Sequence, residues 1–348
     1  MKQNKEIPAG YKDSPLGIIP ESWKIKKLGE IGKIYSGGTP DTDNPLYWNG
    51  EINWCTPTDI TALNGNKYIG NTITKITTEG LNNSSAKLLP PNSIIVCTRA
   101  SIGKTVISKF NIATNQGFKN IVPNENIDTH YLYYVVSNSE TKLLKLGSGS
   151  TFLEVSKSDF ENLKFAFPPI VEQVKIAQIL SLWDNAIEKQ KKLVEKLERK
   201  KRGLMQQLLT ARIRICGFSG SWQTVKMGDV FKRITRKNTE LNDNVVTISA
   251  QRGFIKQTDF FNKTIASEII DNYFLVKKGE FCYNKSYSKG YPMGVVKLLS
   301  DFDKAVVTTL YICFALKTSD NSVDFFKYYF DSGSTSDALT FASEFVTN

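Results

Sequence analysis

Residues 170–209, IVEQVKIAQILSLWDNAIEKQKKLVEKLERKKRGLMQQLL, decide the architecture. They follow a break at Pro168 and Pro169, contain no proline and only one glycine, Gly203, and so read as one uninterrupted helix. Spacings of three and four pick out Ile176, Leu180, Trp183, Ile187, Gln190, Val194, Leu197, Lys201, Leu204 and Leu208. Eight of these ten positions are apolar, a heptad pattern sustained over four repeats. At 1.5 Å per residue such a helix is roughly 60 Å long. An apolar seam of that length needs a partner helix, or else the helix lies on a domain of its own chain. The outer face carries Lys189, Lys191, Lys192, Lys196, Arg199, Lys200 and Arg202, which favours a spacer between domains.

The segments on either side repeat one another. Trp23-Lys24-Ile25-Lys26-Lys27-Leu28-Gly29-Glu30-Ile31 recurs as Trp222-Gln223-Thr224-Val225-Lys226-Met227-Gly228-Asp229-Val230. Ser148-Gly149-Ser150-Thr151 recurs as Ser332-Gly333-Ser334-Thr335, and Ser158-Asp159-Phe160 as Ser343-Glu344-Phe345. Three matches in one order, at a period far longer than solenoid repeats, indicate a duplicated domain. Within each copy, short β-type runs (92–98, 104–108; then 245–249, 279–283, 295–299, 306–316) alternate with turn signals. Aromatic helical stretches follow at 130–146 and 323–330. The expected fold is therefore α+β: two domains with irregular β-sheets, separated by a long spacer helix of coiled-coil type. The expected boundaries are 1–168, 169–212 and 213–348.

Composition limits what such a chain can do. Its 348 residues suit two domains, 41% of them are hydrophobic, and the formal charge is +11. The spacer, with ten basic against five acidic residues, is the most basic segment for its length. That charge suits nucleic acid and equally suits a merely soluble basic protein. Cys55, Cys97, Cys216, Cys282 and Cys313 form no C-x-x-C pair, as expected of thiols in a reducing cytoplasm. No run approaches 18 apolar residues and the first residues lack an apolar signal core, so neither membrane span nor export signal is expected.

Catalytic motifs are missing. The one histidine, His130, sits in an apolar aromatic helix start where a structural role is expected. Ile102-Gly103-Lys104-Thr105 ends like a phosphate-binding loop, but the required earlier glycine is Thr98. Asn44-Pro45-Leu46-Tyr47 lacks the second proline of the methyltransferase N-P-P-Y signature, and no G-x-G-x-x-G is present. The expectation is a non-catalytic chain with no metal site and no cofactor of its own. A methyltransferase with its own cofactor site and a protein-only helical adaptor remain as alternatives from other classes.

Several motifs are specific to one family. Gly37-Gly38-Thr39-Pro40, then Pro45-Leu46-Tyr47-Trp48-Asn49-Gly50-Glu51-Ile52-Asn53-Trp54, then Thr58-Asp59-Ile60 resemble the opening of target-recognition domains in specificity subunits of type I restriction–modification enzymes. Pro168 to Ala177 resembles that family's lead into its spacer helix, and Leu204 to Thr210 resembles the exit. Tyr11-Lys12-Asp13-Ser14 and Ile19-Pro20-Glu21-Ser22-Trp23 resemble its leader. The resemblance implies a purely reading subunit of double-stranded DNA. Each half would contact one half of a split, asymmetric target, and the helices would dock methyltransferase subunits. It places S-adenosylmethionine and ATP with Mg on partner subunits, the latter on a restriction/translocase subunit. By the same resemblance a second long helix should follow Phe345. Its Pro-Pro start would fall near 353, so the expectation is a missing distal helix supplied by another polypeptide, self-association through the spacer helix, or a truncated regulatory variant.

Base readout favours Arg, Lys, Asn and Gln on loops. In the first half, the candidates are Arg99, Ser101 and Lys104 after a buried strand, and Asn115, Gln116 and Lys119 in a turn. In the second half they are Asn284, Lys285 and Lys289 at the matching place, with Arg236 and Arg252 nearby in sequence. Thr39, Pro40 and Trp48 are expected to shape the domain.

Overall fold

The computed structural model describes residues 7–147, 153–261, 270–286 and 294–332. The chain divides into two compact units, Met1–Lys189 and Gln190–Asn348, and the division falls inside the long helix. That helix is continuous over Ile170–Leu208, 39 residues, or about 58 Å. It starts where Pro169 cannot continue a strand; the Pro169 carbonyl instead accepts from the amides of Glu172 and Gln173.

The first unit is built on a five-stranded sheet, in the order Gly32–Ser36, Phe118–Pro123, Ile94–Cys97, Thr105–Ser108, Tyr68–Ile69. The first four pair antiparallel and the last pair is parallel. Every residue of Ile94–Cys97 is buried, as a strand covered on both faces requires. Its side chains alternate between two cores. Ile94 and Val96 join Leu28, Leu132, Phe160 and Phe167, whereas Ile95 and Cys97 join Cys55, Ile60, Leu89 and Phe118. A smaller sheet sets Trp48–Cys55 between Ile112–Thr114, parallel, and Lys75–Ile76, antiparallel.

The duplication is visible strand by strand. In the second unit the sheet order is Phe231–Ile234, Ile312–Leu316, Phe281–Asn284, Val295–Leu298, all antiparallel. These strands occupy, in turn, the places of the first four strands of the first unit. A parallel bridge between Val245 and Val306 matches the parallel pairing of residues 53–55 with 112–114. The repeated K-[LM]-G-[ED]-[IV] motif folds alike twice, as the short helices Leu28–Ile31 and Met227–Val230. In each, the acidic side chain turns back to accept from the first amide, Glu30 from Lys27 and Asp229 from Lys226. The repeats 148–151, 333–335 and 343–345 lie outside the described residues.

Two stretches differ from the sequence reading. Residues 130–146 form two helices, Thr129–Ser137 and Glu140–Leu146, because Ser139 donates its hydroxyl to the Val135 carbonyl and breaks the ladder. Residues 306–316 form two strands, Lys304–Val307 and Ile312–Leu316, separated by a turn closed from Tyr311 to Thr308. The first pairs with Phe274–Lys277 in another sheet.

Along the helix, Ile176 packs on the first core and Ala177 is buried in it. Every residue from Asn185 to Arg202 is exposed. The seam residues Leu180, Trp183, Ile187, Val194, Leu197 and Leu204 are all exposed, Trp183 by 64% and Leu197 by 55%, and Leu208 is half-buried. The seam position Lys201 sets its ammonium 5.5 Å from the ring of Tyr328. No helix among the described residues is long and apolar enough to cross a membrane.

Candidate nucleic-acid interface

In the first unit the glycine pair of G-G-T-P makes room for a loop. A Cβ on Gly37 would lie 1.8 Å from the Asn115 carbonyl oxygen, and one on Gly38 2.4 Å from the Ala86 nitrogen. Only glycine lets backbones approach so closely. Gly38 donates to the Thr114 carbonyl, and its own carbonyl accepts from the Trp54 indole at 2.9 Å. Trp54 meets Trp48 edge to face at 5.1 Å, and Trp48 donates to the Asp41 carbonyl. Asp59 accepts from the amides of Thr56 and Ile73. The motif is thus a brace that holds Thr39 against Gln116, the two joined by a side-chain hydrogen bond.

Two loops meet beside this brace. Asn115 accepts from the Gly117 amide and so fixes its own turn, leaving Gln116 exposed at the tip. Thr98 donates to the Gly117 carbonyl, and a Cβ on Gly117 would lie 3.7 Å from Arg99 Cβ. The Arg99 loop reverses through Ala100 and Gly103, both at positive φ (61° and 90°). Ile102 pins it into the core, and Gly103 sits against Glu140, where a Cβ would come within 2.7 Å of the side chain. Arg99, Ser101, Asn115 and Gln116 therefore collect at one end of the sheet, with Lys104 exposed at the far end of the Arg99 loop.

Lys119 does not join them. It is 4% exposed, and its ammonium lies 3.2 Å from Glu154, whose backbone bridges Arg99. A buried lysine must be paired, and this one supports the loop from behind. Burial pushes the Cys97 thiol up to about 12, partly opposed by the charge of Lys104.

In the second unit the matching loop leaves Phe281–Asn284 and returns on Val295–Leu298. Asn284 accepts from the Ser286 amide, and Lys285 is exposed. Gly294 closes the loop at φ 80°, as Gly103 does in the first unit, with a Cβ barred by the Asn284 carbonyl at 2.3 Å. Lys289 lies outside the described residues. Arg236 is held elsewhere. Its guanidinium forks onto Glu280 at 2.9 and 3.2 Å and also reaches the Leu275 carbonyl. The hydrogen bonds it donates to Glu280 raise its pKa further. Arg252 is exposed in the turn between Val246–Ser249 and Gly253–Lys256, and lines a cleft with Lys297 and Asp331.

The helix is fixed to the first unit by groups that sequence reasoning missed. Gln173 is 2% exposed; its carbonyl oxygen accepts from the Asp128 amide and its nitrogen donates to the Pro168 carbonyl. Lys67 donates to Tyr134, Ser181 and Asp184 at 3.0, 3.1 and 3.2 Å. Burial pulls its pKa down, but the hydrogen bonds to Tyr134 and Asp184 outweigh this and leave it raised. His130 has a structural part here: its Nε2 lies 2.8 Å from the Tyr68 hydroxyl. Among the described residues no group of three His, Cys, Asp or Glu side chains could hold a metal ion.

Comparison with known proteins agrees with these motifs. The type I restriction modification DNA specificity domain matches residues 20–199. The MjaIX specificity subunit of Methanocaldococcus jannaschii is 37% identical over 191 residues, covering 54% of this chain and 44% of that one. The EcoR124I/EcoR124II specificity subunit of Escherichia coli is 33% identical over 181 residues, covering 50% and 44%. The chain spans less than half the length of these two relatives. Among solved structures, the HsdS subunit of Thermoanaerobacter tengcongensis superposes with a TM-score of 0.50 at 16% identity, over 92% of this chain and 81% of that one, a likeness of fold. With its motifs braced as described and more than half its length matched, the chain belongs to the family of type I restriction–modification specificity subunits.

Proposed function

We propose that this chain reads double-stranded DNA for a type I restriction–modification complex, each unit contacting one half of a split, asymmetric target. The observation that carries this is the repeated frame: two units with one strand order, each with a positive-φ glycine just before the strand that returns beside its buried central strand. The two units differ in what they offer, Arg99 and Ser101 with Asn115 and Gln116 on the adjoining turn in the first, and Asn284 and Lys285 in the second. Two unlike readers on like frames suit an asymmetric target. Lys119, engaged by Glu154, supports the Arg99 loop, whereas Arg236, engaged by Glu280 at the other end of its strand, stands apart from the second loop.

The helix docks methyltransferase subunits in this reading. Those subunits carry S-adenosylmethionine and flip the adenine they modify, and a restriction subunit uses ATP with Mg. This chain supplies no catalytic group. The exposed seam from Trp183 to Leu204 also supports self-association through the helix. A monomer in light scattering at micromolar concentration would remove that part alone. The test of the whole is methylome sequencing of cells that carry the chain with its partner subunits. It should return one asymmetric motif with two specified blocks around an unspecified gap. A continuous or palindromic motif would overturn the two-reader proposal.

A further inference from the structure

The exposed stretch of the long helix has a charge arrangement that neither the apolar seam nor the loops explain. Between Gln190 and Leu208 it carries seven basic and two acidic side chains. At roughly 100° per residue, Lys192, Lys196, Arg199 and Lys200 fall within an arc of about 100°, centred about 130° round the helix from the seam. Gly203 continues the same arc with nothing within 4 Å of where its Cβ would be. All four cations are exposed.

Ordinary helix electrostatics accounts for part of this set and not for its centre. Lys192 and Arg199 each have a glutamate four residues earlier, Glu188 and Glu195, the favourable order. Lys196 has Lys192, Arg199 and Lys200 at i−4, i+3 and i+4, and no acid at any helix-neighbour position. Lys200 likewise has no acidic neighbour at i±3 or i±4. Like charges at that spacing destabilise a helix. The helix dipole does not offset this, because it acts within the last turn and these lysines lie eight and twelve residues before Leu208.

We infer that the face formed by Lys192, Lys196, Arg199 and Lys200 contacts the phosphate backbone of duplex DNA, independently of sequence. From Lys192 to Lys200 the face extends about 12 Å along the helix. That length of duplex carries roughly seven phosphate charges, ample for four cations. The inference rests on the DNA-reading proposal and adds a second, non-reading contact to it. The contact raises affinity for any duplex, while the choice of target stays with the loops.

The test uses the full chain assembled with its methyltransferase subunits. Fluorescence anisotropy is read on the target duplex and on a duplex of arbitrary sequence, across a potassium chloride series. Lys196→Ala with Lys200→Ala keeps the fold, since alanine is the best helix former and both sites are exposed. The double variant should bind both duplexes roughly tenfold more weakly at moderate salt. The slope of log K against log salt should fall by about two, near 0.9 per lost phosphate contact. The preference for the target over the arbitrary duplex should stay unchanged, and Lys196→Arg with Lys200→Arg should restore the slope. An unchanged slope in the alanine variant, with the wild type binding normally, overturns the inference alone. Loss of the methyltransferase subunits with the slope intact also overturns it, assigning the face to an acidic protein. Absence of salt-dependent wild-type binding to either duplex overturns the DNA-reading proposal and this inference with it.

Discussion

Replacing Gln173 by leucine should loosen the helix at its root. The side chain is almost wholly buried and makes two hydrogen bonds, at 3.0 Å with the Asp128 amide and 2.9 Å with the Pro168 carbonyl. Asp128 caps the helix Thr129–Ser137, and Pro168 ends the strand that leads to the long helix, so one amide joins three elements. Leucine has nearly the same size but leaves both backbone groups unpaired, at about 1–3 kcal/mol each. Burying a methyl pair in place of an amide returns about 1 kcal/mol, and the net loss is about 3 kcal/mol. With a urea m-value of about 2 kcal/mol/M, the first unit's midpoint falls by about 1.5 M. Tryptophan fluorescence is the natural probe, because Trp23, Trp48, Trp54 and Trp183 of the five tryptophans lie in the first unit. Gln178→Leu is the control: the same change five residues on, at an exposed position, should shift stability by less than about 0.5 kcal/mol. Equal midpoints for the two variants would refute the reasoning.

Arg99→Ala and Lys285→Ala should each weaken target binding about tenfold, within the range for a lost base or phosphate contact. Unchanged affinity and salt slope in both would remove these loops from the interface. A four-residue insertion between Lys192 and Leu197 lengthens the helix by about 6 Å and turns it by about 40°. At 3.4 Å per base pair the methylated motif should gain one or two unspecified positions and keep its specified blocks; an unaltered gap contradicts the spacer role. Alkali should destabilise the first unit. Burial pushes Cys97 from 9.0 to about 12, and burial with the Glu172 charge pushes Tyr131 from 10.0 to about 12. The unfolded chain therefore releases these protons first, so stability is intact below pH 9 and falls as pH rises from about 9 to 12. A urea midpoint that stays constant from pH 8 to 11 would contradict this.

The features legible in the sequence were those with local causes. The helix ends one residue before the position that its proline break, its heptads and its single glycine indicate. The buried run Ile94–Cys97 announces itself by four apolar residues between turn signals. What stayed hidden depends on partners far along the chain. Lys119 looks like a surface cation until Glu154, 35 residues on, is folded against it, and Arg236 until Glu280 arrives from 44 residues away. The break at Ser139 comes from a hydroxyl that could equally have pointed to solvent. Gln173 gives no sign of burial, since its neighbours Glu172 and Lys175 suit a solvated first turn. The motif residues were visible as a set, whereas their action as a brace through Gly37, Gly38 and Trp54 needed the fold.

The loop after the central strand has a further property. In the first unit it begins and ends on one self-contained pairing: Cys97 donates to Lys104 and accepts from Gly103. In the second, Asn284 and Val295 face each other in register at the loop's two ends. The strands are thus paired up to the ends of the loop, and in the first unit Ala100 and Gly103 absorb the reversal. Such a joint permits transplantation. A stretch of foreign sequence inserted between these anchor points inherits a finished scaffold and disturbs none of its ladder bonds. If these loops read DNA as proposed, new preferences can arise by swapping a handful of codons within an unchanged frame.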